Sequence, residues 1–398
     1  MRVLQITAFG GWGCTGRIAQ GICETLIDSG NEAAIAWGRI NTAPEKIPTI
    51  KIGNRMDQIL HGVYTRITDR CGFGSKTVTK KFLKRLEEYH PDIVHLHIMH
   101  GYYVNLELLF EYLKEKKTPV VWTFHDCWAF TGHCPYFDMA GCGKWKTECK
   151  KCIQKSHHPK SLLLDRSRSN YKKKKELFTG VENLTVVTPS RWLEGLVRQS
   201  FFSKYPVRVI PNGINTQDFK PENGTVKKKF GIEGKKMLLG VSSTWAESKG
   251  LKDFIRLSEM ISKEYKMVMV GLTEKQLKSL PEQIVGIIRT DSVKELAQLY
   301  SAADVFLNLT YEDNYPTTNL EALACGTPVI TYRTGGSVEI VESTGYGKVV
   351  EQGDLNGVIA AIKETENLRA GTDIKKELEQ KERFLEYLAL YREILEKK

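Results

Sequence analysis

The segment Tyr311-Glu312-Asp313-Asn314-Tyr315-Pro316-Thr317-Thr318-Asn319-Leu320-Glu321 runs on into Ala322-Leu323-Ala324-Cys325-Gly326-Thr327-Pro328. It follows an apolar strand, holds a proline loop and opens a helix that stops at Gly326. In the first turn of such a helix the N–H groups of Thr317 and Thr318 have no intrahelical partner, which suits a diphosphate. Asp313 in the loop and Glu321 in the helix bring two carboxylates to the same place. Carboxylates do not favour phosphate, so their chemistry is hydroxyl binding: one for a ribose, the other for a sugar. Taken alone, the segment also reads as a plain capped helix with a glycine stop.

Three further motifs follow strands. Gly240-Val241-Ser242-Ser243-Thr244-Trp245-Ala246-Glu247-Ser248-Lys249-Gly250 is a hydroxyl-rich loop ending in Lys-Gly. A cation at Lys249 would neutralise a leaving diphosphate, whose charge grows in the transition state; an isolated Lys-Gly is otherwise a surface turn. Gly10-Gly11-Trp12-Gly13-Cys14-Thr15-Gly16 lets backbone approach a ligand closely. It lacks the Gly-Lys-Ser/Thr of a Walker loop, but the G-x-G-x-x-G spacing at Gly11, Gly13 and Gly16 leaves a nicotinamide cofactor open. Thr123-Phe124-His125-Asp126 places a histidine at a strand end, where a structural role is the alternative.

These motifs need elements to hold them. Short apolar runs at Val3–Ile6, Ala33–Trp37, Ile93–His97, Val120–Phe124 and Leu184–Thr188 alternate with helical spacing at Arg17–Ile27, Leu83–Tyr89 and Leu106–Lys114. The pattern restarts after Val207–Ile210, with runs at Met237–Val241, Met267–Gly271, Val305–Asn308 and Thr327–Ile330. Near-continuous apolar strands alternating with helices predict parallel, doubly wound sheets. The expected domains are 1–207, with a cysteine-rich insert at about 127–155; 208–373; and a helix over 374–398 packing back on the first. Ligands in such sheets bind at the carboxyl ends of the strands, so a cleft between two facing domains is the expected site.

The chain has 398 residues, 41% hydrophobic and 26% charged, which suits two globular domains. Neither a signal-peptide layout nor an apolar run of membrane-spanning length is seen, so a cytoplasmic location is expected. The net charge is +11, and residues 144–204 carry 15 Lys and Arg against 5 Asp and Glu. A surface that basic attracts anions, and the stretch reads as a face for an anionic membrane or lipid phosphate. For the run Lys172–Lys175 alone, a solvated helix face is the plainer reading.

Five of nine cysteines fall between Cys127 and Cys152. Cys149-x2-Cys152, with Cys134 and Cys142, supplies four thiolates, enough for a closed structural zinc site. Lys144, Lys146, Lys150 and Lys151 would offset its charge. The alternative is reduced cysteines packed in a loop. Cys127, close to the strand end, is not expected to be a ligand.

The Asp313–Glu321 segment resembles the acidic-x7-acidic signature of glycosyltransferase family 4. Pro91-Asp92-Ile93-Val94-His95-Leu96-His97, Thr188-Pro189-Ser190-Arg191 and Ile210-Pro211-Asn212-Gly213 resemble family landmarks in order. The resemblance implies a GT-B fold (two Rossmann-like domains) and retaining sugar transfer without a catalytic metal. It implies that Asp313 and His125 contact the donor sugar and Glu321 the ribose. Amides around Asn314 and Tyr315 would meet sugar and phosphate, and the Gly11 loop would lie over donor phosphates and acceptor. Asp313 replaces the usual glutamate, and Thr244 stands where the family carries an arginine. Arg289 is expected near the base. A similar cysteine-rich insert occurs in members that build bacterial surface polysaccharides. The implied partners are a UDP- or GDP-linked sugar and a glycan or lipid-diphosphate-linked acceptor, at the inner membrane face; nucleic acid is not expected. A nucleotide-sugar epimerase or phosphorylase of the same fold, and a zinc-containing nucleic-acid-binding protein, are the remaining alternatives.

Overall fold

A computed structural model describes residues 1–11, 13–39, 44, 46–371 and 374–397. Trp12 of the glycine loop, the end of the predicted 208–373 domain and Lys398 of the C-terminal segment lie outside the described residues. The chain divides into two compact units, Met1–Pro211 with Arg383–Lys398, and Asn212–Glu382.

The first unit is a seven-stranded sheet: β1 (Arg2–Thr7), β2 (Glu32–Trp37), β3 (Thr49–Lys51), β4 (Ile93–Leu96), β5 (Val120–Thr123), β6 (Leu184–Thr188) and β7 (Val207–Val209). The order is β3-β2-β1-β4-β5-β6-β7 and every pairing is parallel. Buried on both faces, the strands need apolar residues of both parities. Leu4, Ile6, Val94, Leu96 and Trp122 join one core. Val3, Ile35, Ile93, Val121 and Val187 join the other, with Phe384, Tyr387, Leu388 and Tyr391 from the C-terminal helix.

The second unit repeats the plan with six strands: β8 (Lys236–Val241), β9 (Tyr265–Val270), β10 (Ile284–Ile287), β11 (Val305–Asn308), β12 (Val329–Tyr332) and β13 (Gly347–Val350). The order β10-β9-β8-β11-β12-β13 is again all parallel. In each unit the winding reverses beside the unit's first strand, between β1 and β4 and between β8 and β11. Open α/β sheets offer their ligand crevice at the carboxyl ends there.

Two expected boundaries shift. The first unit runs to Pro211, because β7 pairs with β6 and the Ile210 N–H donates to the Thr188 carbonyl at 3.0 Å. The single helix expected over 374–398 is instead two, Lys375–Leu378 and Gln380–Glu396. Glu379 turns extended between them because Ile214 pairs with this segment: its N–H donates to Leu378 O and its carbonyl accepts from Gln380 N–H, both at 2.8 Å. Only residues from Arg383 onward belong to the first unit. Strands β3 and β13 and helix Arg55–Thr68 carry no sequence expectation.

Candidate active site

In the second unit the loops leaving β8 and β11 are bonded to one another. The Tyr311 N–H donates to the Ser248 carbonyl at 2.8 Å, and Thr310 Oγ1 donates to the same oxygen at 3.1 Å. Gly250, at φ +74°, lies where any Cβ would overlap the Leu309 carbonyl oxygen. Only glycine permits that approach, which explains the Lys-Gly order. Its result is that Lys249 Nζ reaches Asp313 Oδ2 at 2.7 Å and the Glu312 carbonyl at 3.0 Å. Asp313 Oδ1 accepts the Asn314 N–H at 2.9 Å, so both carboxylate oxygens are engaged. Gly335, at φ +49°, leaves no room for a Cβ beside the Asp313 carbonyl.

Next along the chain, helix Thr317–Ala324 starts after Pro316, which supplies no side-chain cap. The amides of Thr317 and Thr318 stand in its first turn, as an anion site requires. Glu321 is buried and accepts from Tyr300 Oη at 2.9 Å. Asn314 is buried, and the Tyr315 carbonyl accepts from Asn212 Nδ2 at 3.0 Å. Thr244 lies exposed in the β8 loop, its hydroxyl donating to the Ser243 carbonyl at 2.8 Å. Arg289 is exposed just past β10, the edge strand, and joins none of the hydrogen bonds that tie Lys249 to Asp313.

Sequence reasoning missed two asparagines. Asn308 Nδ2 donates to Asn319 Oδ1 at 2.7 Å, while Asn319 Nδ2 is buried with no protein acceptor. A buried donor left unpaired is costly unless something else accepts from it. Ser248, whose carbonyl joins the loops, was also unreadable, since backbone acceptors leave no mark on residue type.

In the first unit Gly11 has φ +76°, and Gly13 opens helix Gly13–Asp28. His125 lies past the carboxyl end of β5, with Nε2 3.1 Å from His97 Nδ1. Behind it runs a buried polar chain. His97 Nε2 is 2.6 Å from Gln5 Oε1, Gln5 Nε2 donates to Tyr391 Oη at 3.2 Å, and His95 lies between Tyr391 Oη at 2.6 Å and Thr123 Oγ1 at 2.8 Å. Burial holds His125 down to about 4 and His95 and His97 well below the ordinary imidazole value. All three are therefore neutral near pH 7, hydrogen-bonding groups rather than cations.

The cysteine insert is more closely knit than its spacing suggests. Cys134 and Cys152 share a hydrogen bond that brings Cys152 down to about 7 and pushes Cys134 far up. Cys149 Sγ accepts the Gly132 N–H at 3.2 Å. Among the described residues no three His, Cys, Asp or Glu side chains close on one point as metal ligands. The lysine run is not one solvated face either. Lys174 is buried, donates to the Trp128 carbonyl at 2.7 Å and the Thr131 carbonyl at 3.1 Å, and sits 3.2 Å from the Trp128 ring centroid. Lys172 and Lys173 pair with Glu148, Glu107 and Glu176.

Comparison with known proteins agrees with this architecture. The family model described as Glycosyl transferases group 1 matches residues 235–366. The model described as Glycosyltransferase Family 4 matches residues 15–218, over half of the chain. A putative colanic acid biosynthesis glycosyl transferase, WcaC of Escherichia coli, is 25% identical over 80% of this chain and 78% of its own. The capsular polysaccharide biosynthesis glycosyltransferase CapM of Staphylococcus aureus is 25% identical over 39% of this chain and 44% of its own. Among solved structures, sucrose-phosphate synthase of Thermosynechococcus elongatus superposes with TM-score 0.70 over 100% of both chains at 16% identity. Anabaena HepE in complex with UDP superposes with TM-score 0.67 over 99% of this chain and 100% of its own, at 15% identity. With both sheets wound alike and the family model spanning most of the first unit, the chain belongs to glycosyltransferase family 4 and is a glycosyltransferase of the GT-B fold.

Proposed function

We propose that the protein transfers a sugar from a UDP- or GDP-linked donor, with retention of configuration, to a glycan or lipid-diphosphate-linked acceptor in polysaccharide biosynthesis. The observation that carries the donor site is the 2.7 Å Lys249–Asp313 pair beside the uncapped start of helix Thr317–Ala324. Lys249 and the Thr317 and Thr318 amides take the diphosphate, and their grip tightens as negative charge builds on the leaving oxygen. Glu321 holds ribose hydroxyls. Asp313 holds a donor-sugar hydroxyl, and Asn314 and Tyr315 line the sugar and phosphates through their backbone. Thr244 and Arg289 contribute to phosphate and base contacts, and the Gly11 loop and neutral His125 face donor and acceptor. HepE, of the same fold, has been solved with UDP-glucose, which favours uridine among the bases.

Both Asp313 oxygens already hold donors, which suits a residue that positions the sugar rather than attacks it. Attack from the face the diphosphate leaves needs no protein nucleophile and no catalytic metal. Proton NMR of donor turnover tests this: a product whose new anomeric signal keeps the donor's configuration is expected. An inverted product, or a trapped glycosyl–Asp313 adduct, would overturn the reading.

No helix of the described residues is long and apolar enough to cross a membrane. Peripheral association with an anionic membrane face from the cytoplasmic side is the location proposed, in keeping with the +10 balance of residues 144–204. Structural zinc on Cys134, Cys142, Cys149 and Cys152 is a separate proposal, supported by four cysteines within one short insert, two of them spaced Cys-x2-Cys; metal analysis of the purified chain decides it.

A further inference from the structure

Helix Arg55–Thr68 is inside out. Its buried residues are Gln58, His61, Gly62 and Thr65, while Met56, Ile59, Leu60, Val63, Tyr64 and Ile67 are exposed. The exposed set follows i, i+3, i+4, i+7, i+8, i+11, one continuous apolar stripe about 17 Å long. Single exposed apolar residues need no explanation, but a whole face does.

The face cannot roll inward. His61 Nε2 accepts the N–H groups of Gly72 and Gly74, each at 3.2 Å, which leaves Nδ1 to donate to Ser75 Oγ at 2.9 Å. Gln58 Nε2 donates to the Gly38 carbonyl. Turning the stripe toward the core would strip buried groups of these partners. A second apolar piece adjoins the helix end. Leu162 N–H donates to the Arg66 carbonyl at 2.7 Å and Leu164 N–H to the Ile67 carbonyl at 3.4 Å, and Leu163 between them is 66% exposed.

Around this surface stand Arg55, Arg66, Lys155, Lys160 and Arg166, none in an ion pair among the described residues. Apolar stripe and unpaired cations together fit an acyl boundary beneath anionic headgroups. A second copy seated face to face would set the same cations against each other.

We propose that helix Arg55–Thr68 and Leu162–Leu164 form the surface on which the protein lies on an anionic lipid bilayer. This rests on the peripheral-association part of the proposed function and names the face that performs it. The test is flotation of the full chain with phosphatidylcholine vesicles and with vesicles containing about a third phosphatidylglycerol. The wild type should float with the anionic vesicles, and 0.5 M salt should weaken that binding. Leu60→Ser/Val63→Ser/Leu163→Ser should reduce it about tenfold or more, and Arg66→Gln/Lys160→Gln severalfold. Diphosphate binding by the triple variant, measured in parallel, should match the wild type, which shows that it folds. A wild type absent from anionic vesicles, or a triple variant that floats as well as wild type, overturns the proposal. So does a concentration-dependent dimer that the triple variant abolishes, which would give the face to a second copy. A wild type that floats but binds no diphosphate would strike the donor-site reading and leave this surface standing.

Discussion

Replacing Lys249 by alanine separates a structural lysine from a functional one. In the free protein Lys249 and Asp313 form a 2.7 Å pair whose side chains are 34% and 23% exposed. Solvent screens a pair that open, so its net worth is about 1 kcal/mol or less, and urea unfolding of the variant should stay within that. A diphosphate held by the same ammonium loses a charge-assisted hydrogen bond worth about 1.5–3 kcal/mol. Calorimetric titration with a nucleoside diphosphate should then show Kd rising roughly 10- to 150-fold. In turnover the leaving group carries more charge, and removing one preorganised donor costs about 10²–10³ in kcat. Asp313→Asn should behave oppositely, keeping diphosphate affinity while lowering kcat, since the amide leaves Lys249 free but holds the sugar less firmly. Lys249→Ala binding diphosphate within twofold of wild type would show that Lys249 does not hold the diphosphate. A stability loss above about 3 kcal/mol, far beyond a solvent-screened, half-buried pair, would make it a structural lysine instead.

Burial holds His61 down to about 4, against an ordinary value of 6.5. Between those values the unfolded chain takes up a proton that the folded chain refuses, so stability should fall as pH drops from 6.5 toward 4, by up to about 3 kcal/mol. Urea midpoints at pH 5 and 7 check it, and His61→Gln should flatten the difference. Lys174→Met leaves the Trp128 and Thr131 carbonyls without their donor and should cost about 2–4 kcal/mol; a loss under 0.5 would show, on the same scale, that those bonds contribute little. Gly250→Ala forces a Cβ onto the Leu309 carbonyl and should abolish diphosphate binding with about 1–3 kcal/mol of destabilisation; calorimetry and urea unfolding read both. Metal analysis should find about one zinc per chain, held by the four thiolates; a metal-free chain would leave them reduced cysteines packed in the loop.

Much of this architecture is written in hydrophobic period. Strands buried on both faces need uninterrupted apolar runs, so most strands could be read from runs such as Ala33–Trp37 and Val305–Asn308. Edge strand β3 is three residues long and β13 half-buried, so neither carries that signal. Helix Arg55–Thr68 carries a helical apolar period of its own in Met56, Ile59, Leu60, Val63, Tyr64 and Ile67; what residue type does not show is that this face points to water, because burial there follows hydrogen bonds from Gln58 and His61 rather than hydrophobicity. Asp313, Lys249 and Glu321 could be singled out as candidates because charged residues at strand-to-helix junctions have few structural uses. That Lys249 touches Asp313 could not be read, because it depends on Gly250 passing the Leu309 carbonyl and on the Ser248 carbonyl joining two loops. The lysine run misled for a related reason. Lys174 differs from its neighbours only in facing two carbonyls and the Trp128 ring, which residue type alone cannot show.

A nucleoside-diphosphate site formed by the loops after β8 and β11 should be visible in a thermal shift of the purified chain. UDP, GDP, ADP, CMP and their sugar conjugates are compared on wild type, Lys249→Ala and Glu321→Ala, since a ligand that binds only the folded state raises the melting temperature by mass action. A selective rise with one diphosphate and its sugar conjugate, lost in both variants, is expected. No rise with any of them, or a rise that both variants retain, would rule out a diphosphate site at these loops.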